Sequence, residues 1–213
     1  MSRYETEEEQ IEAFKNWWNK NGTQLLSAVL VVVLAFSGWR YWTNTQYVES
    51  ANASSMYELL QANSQQGTFG EVSREALKLM QEQPKSPYAA GAALLHATYS
   101  FEKGEVDEAV EQLNWVANNS VDAALKVVAH MRLARIYNDA NKTAEAEAQI
   151  SQLKTMDLNG ATQGELSYVE GLLALQKQDS EKAFVAFSAV VNNPQTEKNL
   201  LGLAQIQLDD LAK

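Results

Sequence analysis

The sequence predicts an all-α protein: a single transmembrane helix followed by a solenoid of helical hairpins with a C-terminal capping helix. Three observations point there. A charge-free apolar segment near the N-terminus has spanning length. Small and large residues recur at a 37-residue interval through the rest of the chain. Only 3 Pro and 10 Gly are available, too few for the turns of an all-β fold or for a flexible linker. The 213 residues suit one domain, or one domain plus an anchor, and a 46% hydrophobic content against 21% charged argues against disorder. A net charge of −10 argues against a nucleic-acid surface, which needs a clustered positive field. The absence of Cys removes disulfides, thiolate nucleophiles, iron–sulfur clusters and Cys-based zinc sites, and fits any compartment.

The first element is the anchor. Asn21 to Trp39 are 19 residues without a charge, and at about 1.5 Å per residue they approach the roughly 30 Å of bilayer hydrocarbon. Trp17 and Trp18 flank the segment on one side and Trp39, Arg40, Tyr41 and Trp42 on the other, as two interfacial belts. A buried core helix gains nothing from indoles at both ends. A cleaved signal peptide is the rival reading, with Ala35-Phe36-Ser37 as its cleavage site. Against it stand the long preceding segment, its five Glu, and the bulky residues after the triplet. Arg3, Lys15 and Lys20 precede the span while only Arg40 follows it before Arg74, so the N-terminus is expected in the cytoplasm and the chain from about Thr43 is expected to be exported, which in a bacterial cell means the periplasm. The expected division is 1–20 cytoplasmic, 21–42 transmembrane and 43–213 periplasmic. Within 5–20, Ile11, Phe14, Trp17 and Trp18 share a face, which predicts a short amphipathic helix lying at the membrane surface; its acidic cluster could alternatively face a cytoplasmic partner.

The body follows. Ala109, Ala146 and Ala183 are spaced by 37, as are Ala97, Ala134 and Gly171, then Leu113, Ile150 and Phe187, then Val116, Leu153 and Val190. The pattern is that of a helix hairpin, A then B, in which small residues let the two helices approach and apolar ones fill the space between. Repeats are expected at about 87–120, 124–157 and 161–194. Ser86-Pro87 opens the first helix A as cap and first turn, and Asn192-Asn193-Pro194 closes the last helix B. Leu200, Ala204, Leu208 and Leu211 predict a cap at 197–211 with a wetted outer face. Upstream, 51–66 and 73–83 read as an irregular helix pair turning at 67–70, the first able to run on from the membrane helix. LARIYNDANKTAEA at 133–146 resembles the tetratricopeptide pattern, as do Ala97, Gly104, Ala109 and Leu113 of the first unit; in the third, Glu170 and Ala174 depart from the expected Leu and Tyr.

Catalytic signatures are missing. There is no phosphate-binding glycine loop, nucleophile elbow, HExxH or dinucleotide glycine pattern. His96 and His130 have no second ligand at metal-like spacing and read as core or groove residues. No enzyme, metal or cofactor is expected. In a solenoid of this kind the concave surface is lined by helices A, here Leu94, Thr98 and Phe101, then Met131, Arg135 and Asn138, then Tyr168, Leu172 and Leu175. That set is mostly apolar and suits apolar segments better than a carboxylate clamp, which needs several Lys, Arg and Asn. The alternative is a groove filled by the protein's own preceding or capping helix.

GWRYW at 38–42 and YETEEEQIEAFKNWWNKNG at 4–22, together with the repeat body, are similar to the YfgM family of ancillary SecYEG translocon subunits of Gram-negative bacteria. The resemblance covers the whole chain. It implies an inner-membrane protein with a periplasmic tetratricopeptide-like domain, associated with the SecYEG translocon and the periplasmic chaperone PpiD, and helping pass exported, unfolded chains to periplasmic chaperones. It also implies a link to a cytoplasmic stress regulator, through the segment before Lys20. The alternative function is a structural envelope protein bridging an inner-membrane complex to another periplasmic assembly; both would use the same solenoid.

Overall fold

The computed structural model of the chain describes residues 7–64 and 69–212, and within them nine helices and no strand. The chain divides into two compact units, Met1–Asn52 and Ala53–Lys213.

The first unit is the greater part of α1 (Glu7–Ser64), a single 58-residue helix. From Glu7 onward the expected amphipathic helix is therefore not an element of its own; it runs without a break into the span, and residues 1–6 lie outside the described ones. Local chemistry carries the helix through Asn21 and Gly22. The Asn21 amide donates to the Trp17 carbonyl at 3.0 Å, and the Trp18 indole covers Gly22, lying 3.1 Å from where a Cβ would stand. Leu25, Leu26 and Val29 through Leu34 are all exposed. The hydroxyls in and beside this stretch are satisfied within the helix, Ser27 donating to the Thr23 carbonyl at 2.8 Å and Thr45 to that of Tyr41 at 3.0 Å, as a helix in hydrocarbon requires. Among the described residues α1 is the one helix long and apolar enough to cross a membrane.

The second unit holds the end of α1, α2 (Phe69–Glu82) and three hairpins. These are α3 (Pro87–Glu102) with α4 (Val106–Asn119), α5 (Ala123–Asp139) with α6 (Thr143–Lys154), and α7 (Gly160–Gln176) with α8 (Ser180–Asn192); α9 (Lys198–Leu211) follows. The upstream pair differs slightly from expectation, since α1 stops at Ser64 and α2 starts at Phe69; of the expected turn, 67 and 68 lie outside the described residues and 69 and 70 belong to α2. Each helix A is capped at its start, α3 by the Ser86 hydroxyl on the Tyr88 amide with Pro87 in the first turn, α5 by Asp122 and α7 by Asn159.

Every member of the four 37-residue registers is buried. The turns inside the hairpins repeat as well. Gly104, Asn141 and Gln178, again 37 apart, all take positive φ (86, 58 and 60°). After each, the next amide closes on a carbonyl five residues earlier: Glu105 to Ser100, Lys142 to Tyr137 and Asp179 to Ala174, at 2.8–2.9 Å. This end turn needs a left-handed residue; Gly and Asn take that conformation readily, whereas Gln178 costs about 1 kcal/mol. The third hairpin departs at Gly171 for a steric reason. A Cβ there would stand 2.5 Å from the ring of Phe187, the largest residue in its register, so the two changes compensate within one packing volume.

Helices A touch in sequence, α3 on α5, α5 on α7 and α7 on α9, whereas α4, α6 and α8 make no contact with one another. The A layer is thus the closer-packed, inner one. α9 lays Leu200, Leu208 and Leu211 around buried Ala204 on the α7–α8 hairpin. Its outer face exposes Lys198, Asn199, Gln205, Asp209 and Asp210 and, among them, Leu201, Leu203 and Ile206, Ile206 by 56%.

Candidate partner-binding surface

The layer of helices A places the nine expected groove residues in two groups. Thr98 and Phe101 on α3 are exposed, Phe101 by 48%, and Leu94, Arg135 and Asn138 are half-buried. Met131 is a correction: at 4% exposure it belongs to the core with Ala146, Ile150 and Leu153. Tyr168, Leu172 and Leu175 pack against the α7–α8 core, and the Tyr168 ring meets Phe187 edge-on at 5.6 Å. Met131 of the second hairpin and all three positions of the third therefore face core, while Arg135 and Asn138 stay on the inner surface. Sequence spacing alone does not show this, because a small rotation of a helix moves a half-exposed position from groove to core.

What replaces an apolar groove is a polar seam between successive helices A. Arg132 donates to the Thr98 hydroxyl at 2.8 Å, Arg135 pairs with Glu165 at 3.2 Å, and the Gln176 amide donates to the Asn138 carbonyl at 2.9 Å and to Asn141 Oδ1 at 2.7 Å. Arg132, Glu165 and Gln176 were missed by the sequence reading; their partners lie 30 to 38 residues away, close to the repeat length, which is the signal that could have found them. Phe101 stands beside this seam as an exposed aromatic ring.

His96 is fully buried on α3, with Nε2 3.1 Å from the Glu108 carboxylate of α4; the same carboxylate accepts from the Ser73 hydroxyl of α2 at 3.3 Å. Burial pushes the His96 pKa below its ordinary 6.5, opposed by Glu108. The node ties three helices together and explains a histidine in a small-residue core. His130 is held by Gln149 at 2.7 Å.

The tetratricopeptide repeat-like domain family matches residues 15–213. The chain belongs to that family. Relatives along nearly the whole chain agree with the resemblance drawn from GWRYW and the acidic N-terminal segment. An ancillary SecYEG translocon subunit of Escherichia coli is 29% identical, covering 100% of both chains. Proteins of the same name from Haemophilus influenzae, 29% identical over 83% of this chain and 88% of its own, and Neisseria gonorrhoeae, 22% identical over 99% and 100%, also match. No solved structure matches.

Within the tetratricopeptide-like frame, the outer layer opens a cleft of about 880 Å³ between α6 and α8, floored by Leu173 and Ala174 of α7. Its rim pairs Lys154 with Glu170, Lys177 with Glu147 and Lys182 with Asp179. The Glu170 that departs from the repeat pattern thus answers Lys154. Charges so paired leave little field for a charged ligand. Among the described residues, no three His, Asp or Glu come together as a metal site.

Proposed function

We propose that this chain is a membrane-anchored, non-catalytic protein–protein interaction scaffold at the SecYEG translocon that helps pass exported chains to periplasmic chaperones such as PpiD. The observation that carries this reading is the end-to-end match to relatives named ancillary SecYEG translocon subunit. In this reading residues 1–20 are cytoplasmic, 21–42 span the inner membrane and 43–213 are periplasmic, with Trp17, Trp18, Trp39, Arg40, Tyr41 and Trp42 at the interfaces. The excess of basic residues before the span supports that orientation. The segment before Lys20 is then the place where a cytoplasmic stress regulator would engage. The inner surface around Leu94, Thr98, Phe101, Arg135 and Asn138 is the docking face, its exposed ring and polar seam suiting a mixed apolar and polar segment better than a purely apolar one.

A photoreactive side chain at Phe101 of the full chain in intact membranes tests this, with Val121, exposed in the α4–α5 loop, as control. Adducts with translocon subunits, PpiD or exported chains at Phe101 and not at Val121 are the expected result. Adducts only with an unrelated envelope assembly would replace the reading by the bridging role.

A further inference from the structure

The first three helices A each carry two packed faces, and α9 carries one. α7 lays Leu166, Val169 and Leu173 on the preceding hairpin and turns Tyr168 and Gly171 to its own helix B. α9 begins 38 residues after α7, so the first face maps onto Ala204, Gln207 and Leu211, and both Ala204 and Leu211 pack on the α7–α8 hairpin. The second maps onto Ile206 and Asp209, and Gly202, one turn before Ile206, lies on the same side; all three are exposed. A Cβ added to Gly202 would meet nothing within 4 Å. α9 is thus a helix A whose helix-B face is covered by none of the described residues.

The residues on that face complement themselves. Lys198, Gly202, Ile206 and Asp209 fall along one line at steps of four, four and three. Turned antiparallel about Ala204, two such helices set Gly202 of each against Ile206 of the other, a hole against a knob. The same rotation brings Lys198 of each to Asp209 of the other. Leu203, 49% exposed, widens the contact. We propose that α9 pairs antiparallel with α9 of a second copy of this chain, each helix covering the other's exposed helix-B face. The closed two-fold contact consumes both faces and leaves nothing for further growth. Anchoring both copies in one bilayer raises their effective concentration, which offsets a short interface and the mutual repulsion of two acidic chains.

The chain has no native cysteine, so the test is clean in membranes containing the full-length protein. Two differently tagged copies are co-expressed, one Gly202→Cys and the other Ile206→Cys, then mildly oxidised. A mixed disulfide forming at least tenfold more than with Val121→Cys in place of either is the expected result. No excess over that control, or adducts of Ile206→Cys with other proteins alone, overturns the proposal. Charge exchange gives an independent readout on the same pair. Lys198→Glu should reduce the mixed disulfide several-fold, and Asp209→Lys in the same chain should restore it. The two positions lie about 16 Å apart along one helix, so rescue comes only from contact between copies; a double variant no better than the single one also sinks the proposal. Melting of each variant confirms that the repeats stay folded.

Discussion

The span of α1 and the hairpins of the second unit are built from the same residues and use them in opposite ways. Val31, Val32 and Leu34 stand 62–66% exposed along the span, whereas Leu113, Leu133, Val116 and Val190 are 0–1% exposed between helices. In water, each exposed large aliphatic chain forgoes about 1.5–3 kcal/mol of burial, so the exposed stretch is stable only where the solvent is itself apolar. In the hairpins the neighbouring helix supplies that environment, and small residues at Ala134 and Ala146 set how close it comes. Side-chain hydrophobicity is common to both regions; packing complementarity is demanded only in the second.

The sharpest break of that contrast is a charge in each region. Ala146→Arg puts a guanidinium where the side chain has no exposure, and should cost about 4 kcal/mol or more. Thermal melting of the full chain in detergent should show the helical repeats lost or their midpoint lowered by about 10 °C or more. Val31→Arg meets hydrocarbon rather than a packed helix and should cost about 2.5–3.5 kcal/mol in membrane insertion. Fractionation should show reduced membrane retention, while the repeats melt as before. A shared effect on melting would mean that α1 is a packed core helix.

A subtler test changes fit without changing polarity. Gly171→Ala drives a methyl into the Phe187 ring and should destabilise by roughly 1–3 kcal/mol. Phe187→Leu, the residue that the first hairpin has in this register, should recover most of that loss when combined with it. The same alanine placed at Gly38 in the span, where a Cβ meets nothing within 4 Å, should leave melting unchanged. Full additivity of Gly171→Ala and Phe187→Leu would refute the compensation.

The smallest expected effect is the pH response of the buried His96. Its pKa is lowered in the fold, so the unfolded chain takes up the proton first as pH falls. Stability from this group is complete above about pH 6.5 and is lost on acidification through the window below it, until the folded state also protonates. Melting midpoints between pH 7.5 and 5 should fall less steeply for His96→Gln than for the parent, and more steeply for Glu108→Gln, which removes the group that opposes the shift. Identical slopes in all three would place the pH dependence elsewhere.

The sequence by itself determined the helical class, the charge-free span, the four 37-residue registers and the cap of α3, because each rests on local chemistry or on a period that survives without knowing what faces what. It also carried the left-handed turn register at Gly104, Asn141 and Gln178, masked because only one of the three is a glycine. Tertiary structure alone decided the rest. Whether Met131 lines a groove or fills a core depends on a small helix rotation, and both outcomes fit the same spacing. The partner of His96 lies across a turn on another helix, and the seam from Thr98 to Gln176 joins side chains one repeat apart, each of which reads alone as an ordinary solvated polar residue. The exposed Gly202 and Ile206 of α9 become meaningful only beside three packed helices A, since whether a face is covered is decided by what packs on it and leaves no mark on the sequence of the helix itself.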